Sequence, residues 1–472
     1  MMTNEATAPA SGDGKTSFSH WIAEMRALLS LGAPLILAQL AQNALFTTDV
    51  IMMGWLGPES LAAGMLATAF MNTFMIGGIA MLSVVAALVA QARGAGDSKG
   101  VRRTVRQGLW VAIAVSLVLW PILWQVRPVL SALGQAPVAI DRAEEYVHVA
   151  MWLVLPGLCY VVFRSFLSAL QQTRVILLVT IGAVALNALL NWALIFGNFG
   201  MPRLELRGAA IATLIVNIFM FAALAFYAVR HRRFRRYHVF ARFWRADWQR
   251  FLAIIRVGAP IGFMVLAEVA LFSMAAVLMG RLGTNELAAH AVALQCASTA
   301  FMVPLGLSQA TTVRVGLAYG AGDRAGVARA GWGAMIVTLA FMTTTCLLFI
   351  FYSDALVGLF LDQDDPANFE ALRLAATYVV IGGIFQLVDG AQVSAAGALR
   401  GLSDTTAPMI IALLGYWAVG FPIAWIAGIV LDWRGVGVWL GLAGGLAFVA
   451  VVLTTRFAMR ERLGLLPPLP AQ

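Results

Sequence analysis

The chain has 472 residues, 61% of them apolar and 12% charged, with a mean hydropathy of +0.84. Soluble domains carry roughly 45–50% apolar and about 25% charged residues, so cytosolic enzymes, secreted domains and disordered scaffolds are excluded and a polytopic membrane protein remains. The net charge of +9 would suit nucleic acid, but the placement of the basic residues points to a membrane, and nucleic acid is not an expected partner.

Residues 1–26 are polar, carry no cleavable-signal pattern and read as a cytoplasmic tail. Apolar stretches follow at 30–53, 60–90, 107–126, 147–168, 176–197, 208–229, 257–280, 288–317, 331–353, 374–399, 409–431 and 435–455. Each can cross a hydrocarbon layer of about 30 Å at about 1.5 Å per residue. The shorter alternating segments of a β-barrel do not occur. The fold class is therefore an all-α polytopic membrane protein with twelve transmembrane helices. With both termini inside, 25 of the 32 Lys and Arg fall on the cytoplasmic side, as the positive-inside rule requires. The seven left outside are Arg127, Arg142, Arg203, Arg207, Arg281, Arg373 and Arg434. Much of the excess lies in the loop from His231 to Arg256, which reads as an orientation signal resting on anionic headgroups. Cys159, Cys296 and Cys346 sit in apolar runs as small hydrophobes.

An internal repeat organises these spans. A shift of 226 positions aligns Gly32 to Asp97 with Gly258 to Asp323 without a gap, and 23 of the 66 positions are identical. Gly32-Ala33-Pro34 matches Gly258-Ala259-Pro260, and Gly94-Ala95-Gly96-Asp97 matches Gly320-Ala321-Gly322-Asp323. The expected units are the tail 1–26, a six-helix bundle over 27–229, a basic cytoplasmic linker over 230–256, a second six-helix bundle over 257–458 and a cytoplasmic tail over 459–472. Six is even, so matched spans cross in the same direction and the pseudo-symmetry axis runs along the membrane normal. Two such bundles enclose a central cleft, the arrangement of alternating-access transporters.

Three acids lie inside spans: Asp49 in the first, Glu268 in the seventh and Asp389 in the tenth. An ionised group at membrane depth costs at least about 2.5–3.5 kcal/mol, and no basic residue in those spans is placed to neutralise them. Such carboxyls bind or shuttle a cation. Under the repeat Asp49 matches Ala275 and Glu268 matches Gln42, so each half holds its own acid. Positions seven apart are about 20° from eclipsed on a helix, so both acids are expected to face one cleft. Asp389 sits in the polar island Gln386 to Gln392 and with Glu268 forms a carboxyl pair able to serve Na⁺ or H⁺. Asn187 and Asn191, one turn apart on the fifth span, are possible neutral ligands beside Asp49. Phe301, Met302 and Phe385 are candidate wall residues of a substrate cleft, since Met and aromatic surfaces adapt to varied apolar ligands.

The chain has no GxxxxGK[ST] phosphate loop, no HExxH and no GxSxG elbow. Neither a nucleotide motor, a metalloenzyme nor a serine hydrolase is expected, and no cofactor beyond the coupling ion.

The paired GAP and GAGD segments, TDVIMMGWLG and AAVLMGRLG at the ends of spans one and seven, AEVALF around Glu268 and VDGAQVSAAGALRGLSDT around Asp389 resemble the MATE (multidrug and toxic compound extrusion) transporters. The resemblance covers about residues 27–458 and is nearest to the NorM-like branch, in which acids at the positions of Glu268 and Asp389 are implicated in Na⁺ or H⁺ binding. It implies two six-helix bundles, an outward-open cleft, and export of lipophilic, often cationic drugs or dyes against Na⁺ (or H⁺). The expected setting is the lipid of a bacterial inner membrane, with both termini cytoplasmic and the protein a monomer. The matching DinF-type pattern has an Asp where this chain has Asn191, which favours Na⁺. The alternatives are a lipid-linked precursor flippase of the same superfamily, which would place basic residues in its cavity, and a polytopic membrane enzyme.

Overall fold

The computed structural model describes residues 13–466 apart from 236, 241, 242, 246, 363 and 364. The tail readings for 1–12 and 467–472 and part of the basic linker lie outside the described residues. Among the described residues twelve helices are long and apolar enough to cross a membrane: α1 (Ser19–Gly54), α2 (Pro58–Gly94), α3 (Ser98–Trp124), α4 (Pro137–Ala169), α5 (Thr173–Phe196), α6 (Glu205–Arg230), α7 (Trp248–Leu282), α8 (Thr284–Gly320), α9 (Arg324–Phe351), α10 (Phe369–Gly401), α11 (Thr406–Val430) and α12 (Arg434–Ala458). Helix already begins at Asp13, ahead of the first apolar run.

Local chemistry sets the boundaries. Pro58 and Pro137 open α2 and α4, where a missing N–H costs nothing. In the GAGD turns, Gly96 (φ 73°) and Gly322 (φ 74°) adopt the left-handed conformation that glycine enters without strain. The following Asp97 and Asp323 accept the backbone N–H of Gly100 at 2.8 Å and of Gly326 at 2.7 Å, capping α3 and α9.

The first glycine of each turn has a different task. A Cβ on Gly94 would strike the backbone oxygen of Leu317, and one on Gly320 that of Gln91. Likewise a Cβ on Gly32 would meet Leu307 and Ala310, and one on Gly258 would meet Met81 and Val84. Each contact maps onto its partner under the same 226-residue shift as the sequence repeat. The halves therefore meet across a pseudo-twofold axis, with α1 packed on α8 as α7 is packed on α2. Buried apolar side chains accordingly form two clusters, one centred in each half.

Polar contacts between the halves gather at this GAGD end. Gln91 Nε2 donates to the Gly401 carbonyl at 2.8 Å and to Ser403 Oγ at 2.9 Å. Arg314 Nε donates to Glu24 at 2.7 Å. Ion pairs join groups at the same end of the bundle: Arg103–Asp247, Arg329–Asp323 and Arg456–Asp404 at the GAGD end, and Arg127–Glu144, Arg207–Glu145 and Arg434–Glu286 at the other. Large apolar side chains such as Leu178, Phe226 and Val451 stay about two-thirds exposed, at 68%, 68% and 65%, a surface that hydrocarbon and not water would solvate.

The close approach at Gly320 gives a paired prediction. Gly320→Ala forces backbone apart and should cost about 1–3 kcal/mol, read as a lowered melting temperature of the detergent-purified protein. Gly444→Ala meets only Ile423 Cδ1 at 3.4 Å and should leave the melting temperature unchanged or slightly higher.

Candidate cation-binding site

The C-terminal half brings together the polar side chains of α7, α10 and α11. Asp389 on α10 is buried, 6% exposed, between the equally buried Gln386 and Gln392. It lies near enough to Glu268 of α7 for the two charges to act on one another. The Glu268 carboxyl is within hydrogen-bonding reach of Tyr416 and Gln392. Gln392 Nε2 donates to Tyr416 Oη at 2.5 Å, which leaves the phenol proton for Glu268. Tyr416 stands in the widened π-helical turn Leu414–Gly420 of α11, a distortion that recurs at functional sites. Asp389 Oδ1 and Gln392 Oε1 are buried with no hydrogen-bond partner.

In the N-terminal half Asp49 has a different environment. Its Oδ1 accepts from Asn187 Nδ2 at 3.0 Å and Asn191 Nδ2 at 2.6 Å, and its Oδ2 from Thr213 Oγ1 at 3.3 Å. The one-turn spacing of the two asparagines holds, with Asn191 donating to Asn187 Oδ1 at 3.3 Å. Ion pairs among the described residues include none of Asp49, Glu268 and Asp389.

These partners divide the two acids between the halves. Asp49 is turned toward α5 and α6 of its own half, and Glu268 toward α10 and α11 of the other. The residue matched to Glu268 is Gln42, and it meets a basic group instead. Arg164 of α4 donates to Gln39 at 3.1 Å, Gln42 at 3.0 Å and Gln309 of α8 at 3.0 Å. The gap between the first and fourth helices thus holds a fixed cation in one half and two acids in the other. Counting Arg164 with the loops hid this from the sequence.

The wall candidates separate. Phe385 is only 2% exposed, packed edge-on against Phe272 and Trp439 with centroids 6.1 and 5.7 Å away, so it is enclosed in the C-terminal half. Phe301 and Met302 remain partly exposed on α8. A further buried acid escaped the sequence reading. Glu286, 1% exposed, accepts from the Tyr378 hydroxyl and pairs with Arg434 Nε at 3.0 Å, tying α8, α10 and α12 together at the end away from the GAGD turns. Position at a span end disguised it. Among the described residues no group of three His, Cys, Asp or Glu is placed to hold a metal ion.

The MatE family model matches residues 34–193 and 260–426, one stretch in each half. The chain belongs to the MATE family. It is 45% identical to the probable multidrug resistance protein NorM of Brucella suis biovar 1 (strain 1330), over 93% of this chain and 94% of that one. It is 47% identical to the protein of the same name in Rhizobium meliloti (strain 1021), with the same coverage. In fold it is similar to a mutant form of the Vibrio cholerae MATE transporter VcmN, with a TM-score of 0.83, 19% identity and coverage of 94% of this chain and 98% of that one. The matched stretches include the span acids, Asp49 in the first and Glu268 and Asp389 in the second.

The graded contacts around Asp49 predict graded losses. Asn191→Leu removes the shortest bond, leaves Oδ1 with Asn187 alone, and should cost about 1–3 kcal/mol. Thr213→Val removes the longest and should cost less than half as much. Thermal denaturation in detergent orders the two, and the reverse order would contradict this geometry.

Proposed function

We propose that the protein is a secondary active multidrug efflux antiporter of the bacterial inner membrane, exporting lipophilic, often cationic compounds in exchange for Na⁺ or H⁺ moving down its gradient. The single observation that carries this is the Glu268–Asp389 pair: a buried Asp389 and a part-buried Glu268 near enough for their charges to act on one another, acceptor oxygens of Asp389 and Gln392 without hydrogen-bond partners, and no ion pair to either acid among the described residues. Two negative charges at low dielectric repel one another, so a positive ion is required whenever both are ionised. Na⁺ suits the oxygen ligands of Glu268, Asp389, Gln392 and Tyr416; H⁺ needs only one of the carboxyls. Asp49 with Asn187 and Asn191 offers a second, neutral-ligand seat in the other half.

Membership in the family and likeness to the NorM proteins support drug export as the work that this ion drives. The basic linker and the arginines that open α3 support a cytoplasmic GAGD end under the positive-inside rule, with both termini on that side. Contacts between the halves then seal the inner end, from Gly306 on Ile36 and Gly77 on Leu266 to the GAGD turns, and the cleft opens outward. Phe301 and Met302 are wall residues of that cleft.

The reaction cycle follows from differential affinity. A ligand shifts a conformational equilibrium only by its affinity difference between the states. Cation bound at Glu268 and Asp389 removes their mutual repulsion and favours one packing of α7 on α10 and α11. Bound drug favours the other. Reaching the inward-open state requires breaking the Gln91, Arg164–Gln309 and Glu24–Arg314 contacts at the inner end. Coupling free energies of this kind amount to about 1–3 kcal/mol.

Everted vesicles with Na⁺ and H⁺ gradients imposed separately test the assignment. Ethidium or norfloxacin export should follow one of the two gradients. Glu268→Gln and Asp389→Asn should each lower gradient-driven export by about an order of magnitude or more, the range such coupling allows, while the proteins still insert. Full export by both variants would overturn the proposal.

A further inference from the structure

The GAGD end carries a basic cavity that the transport reading does not use. It has a volume of about 450 Å³ and lies where α3 and α7 begin, lined by Arg102, Arg103 and Arg106 of α3 and by Arg245, Asp247 and Trp248 at the start of α7. Four guanidinium groups face one carboxylate. That carboxylate is already engaged: Asp247 accepts the Arg250 N–H at 3.2 Å, capping α7, and lies 3.7 Å from Arg103 Nε. Arg106 is buried, 5% exposed, with the charges of Arg102, Arg103, Arg245 and Asp247 all close enough to act on it. Arg102 Nε is buried without an acceptor.

The cavity is also held in shape. Trp110 of α3 stacks on Phe243 of the linker with centroids 5.8 Å apart and donates its Nε1–H to the Phe243 carbonyl at 3.1 Å. Trp248 and Trp244 remain 68% and 83% exposed beside it, and exposed Trp at the end of an apolar span marks headgroup depth. Convergent guanidinium groups at that depth match the oxygens of a phosphate group through paired N–H donors, and basic pockets between transmembrane helices take phospholipid headgroups. Since α3 belongs to one half and α7 to the other, an occupant would bridge the two.

We propose that this cavity binds a phosphate-bearing anion, either the headgroup of an anionic phospholipid or a soluble phosphate compound, and thereby links the halves independently of the transported ion. The full-length protein is placed in nanodiscs of phosphatidylcholine with or without phosphatidylglycerol, and retained phosphatidylglycerol is counted by native mass spectrometry. In a second arm, affinity for inorganic phosphate is read from thermal shifts in phosphatidylcholine nanodiscs. The double variant R102Q/R245Q should lose about tenfold or more in one arm or both, because a charge-assisted hydrogen bond is worth about a decade of affinity. R230Q/R232Q, which removes the same charge at the end of α6, should change neither arm more than about twofold. Loss in the lipid arm alone identifies a headgroup, and loss in the phosphate arm alone a soluble anion. Equal losses in the two double variants, or none in either arm, overturn the site. Arg245→Gln alone, outside any helix, keeps the test open if the double variant does not fold.

Discussion

A carboxyl group in hydrocarbon can be matched with a fixed base, saturated with neutral donors, or left for a mobile cation, and this chain uses all three solutions in different places. Glu286 takes the first, through Arg434. Asp49 takes the second, through Asn187, Asn191 and Thr213. For Glu268 and Asp389 we propose the third, with Tyr416 and Gln392 beside them as supporting ligands. Desolvation penalises every uncompensated charge by several kcal/mol, so the placement of these groups decides which helices must stay together and which can be rearranged by an ion.

The pseudo-twofold fold makes the asymmetry between the halves informative. The gap between the first and fourth helices of each bundle is structurally equivalent. In the N-terminal half it holds the Arg164 guanidinium among Gln39, Gln42 and Gln309, a charge that cannot leave. In the C-terminal half it holds Glu268 and Asp389, with no ion pair to either among the described residues, the place where we propose that a mobile charge binds. Arg164 also reaches across to α8, so the fixed cation joins the two halves while the mobile one acts within a single half. Glycines at Gly32, Gly94, Gly258 and Gly320 allow the backbone to close at one end, and small residues at helix contacts are the usual means of tight packing where lipid offers no hydrophobic drive.

Much of this architecture was legible from the residues alone. Span length follows from apolar run length, and the 226-residue shift predicted which helices would meet as counterparts. The GAGD segments were visible as landmarks, although their division of labour between close approach, left-handed turn and helix cap needed coordinates. Asp49, Asn187 and Asn191 were grouped by helical spacing, and Glu268 with Asp389 by charge, because an acid in an apolar run stands out. Tyr416 did not, since a Tyr in an apolar span is ordinary until the π turn brings its hydroxyl to Glu268. Arg164, Arg314 and Glu286 were assigned to ends of spans by composition, where a charge needs no partner, yet the helices continue past them and give them one. Phe385 reads as a wall residue from its type and proves enclosed because Trp439 and Phe272 cover it, a tertiary fact with no local signature. Thr213, the partner of Asp49 on α6, was not legible either: an idealised helix fixes the angle between two residues but not which neighbours pack on each side.

The most direct measurement follows ion release from purified protein as drug binds. Ethidium is added to the protein in detergent, and displaced ²²Na⁺ or released H⁺ is recorded beside drug binding. The account predicts release from the unaltered protein and none from a form carrying both Glu268→Gln and Asp389→Asn, which should bind drug equally well at every cation concentration. Undiminished release from that doubly altered form would show that the ion is held elsewhere and contradict the central claim.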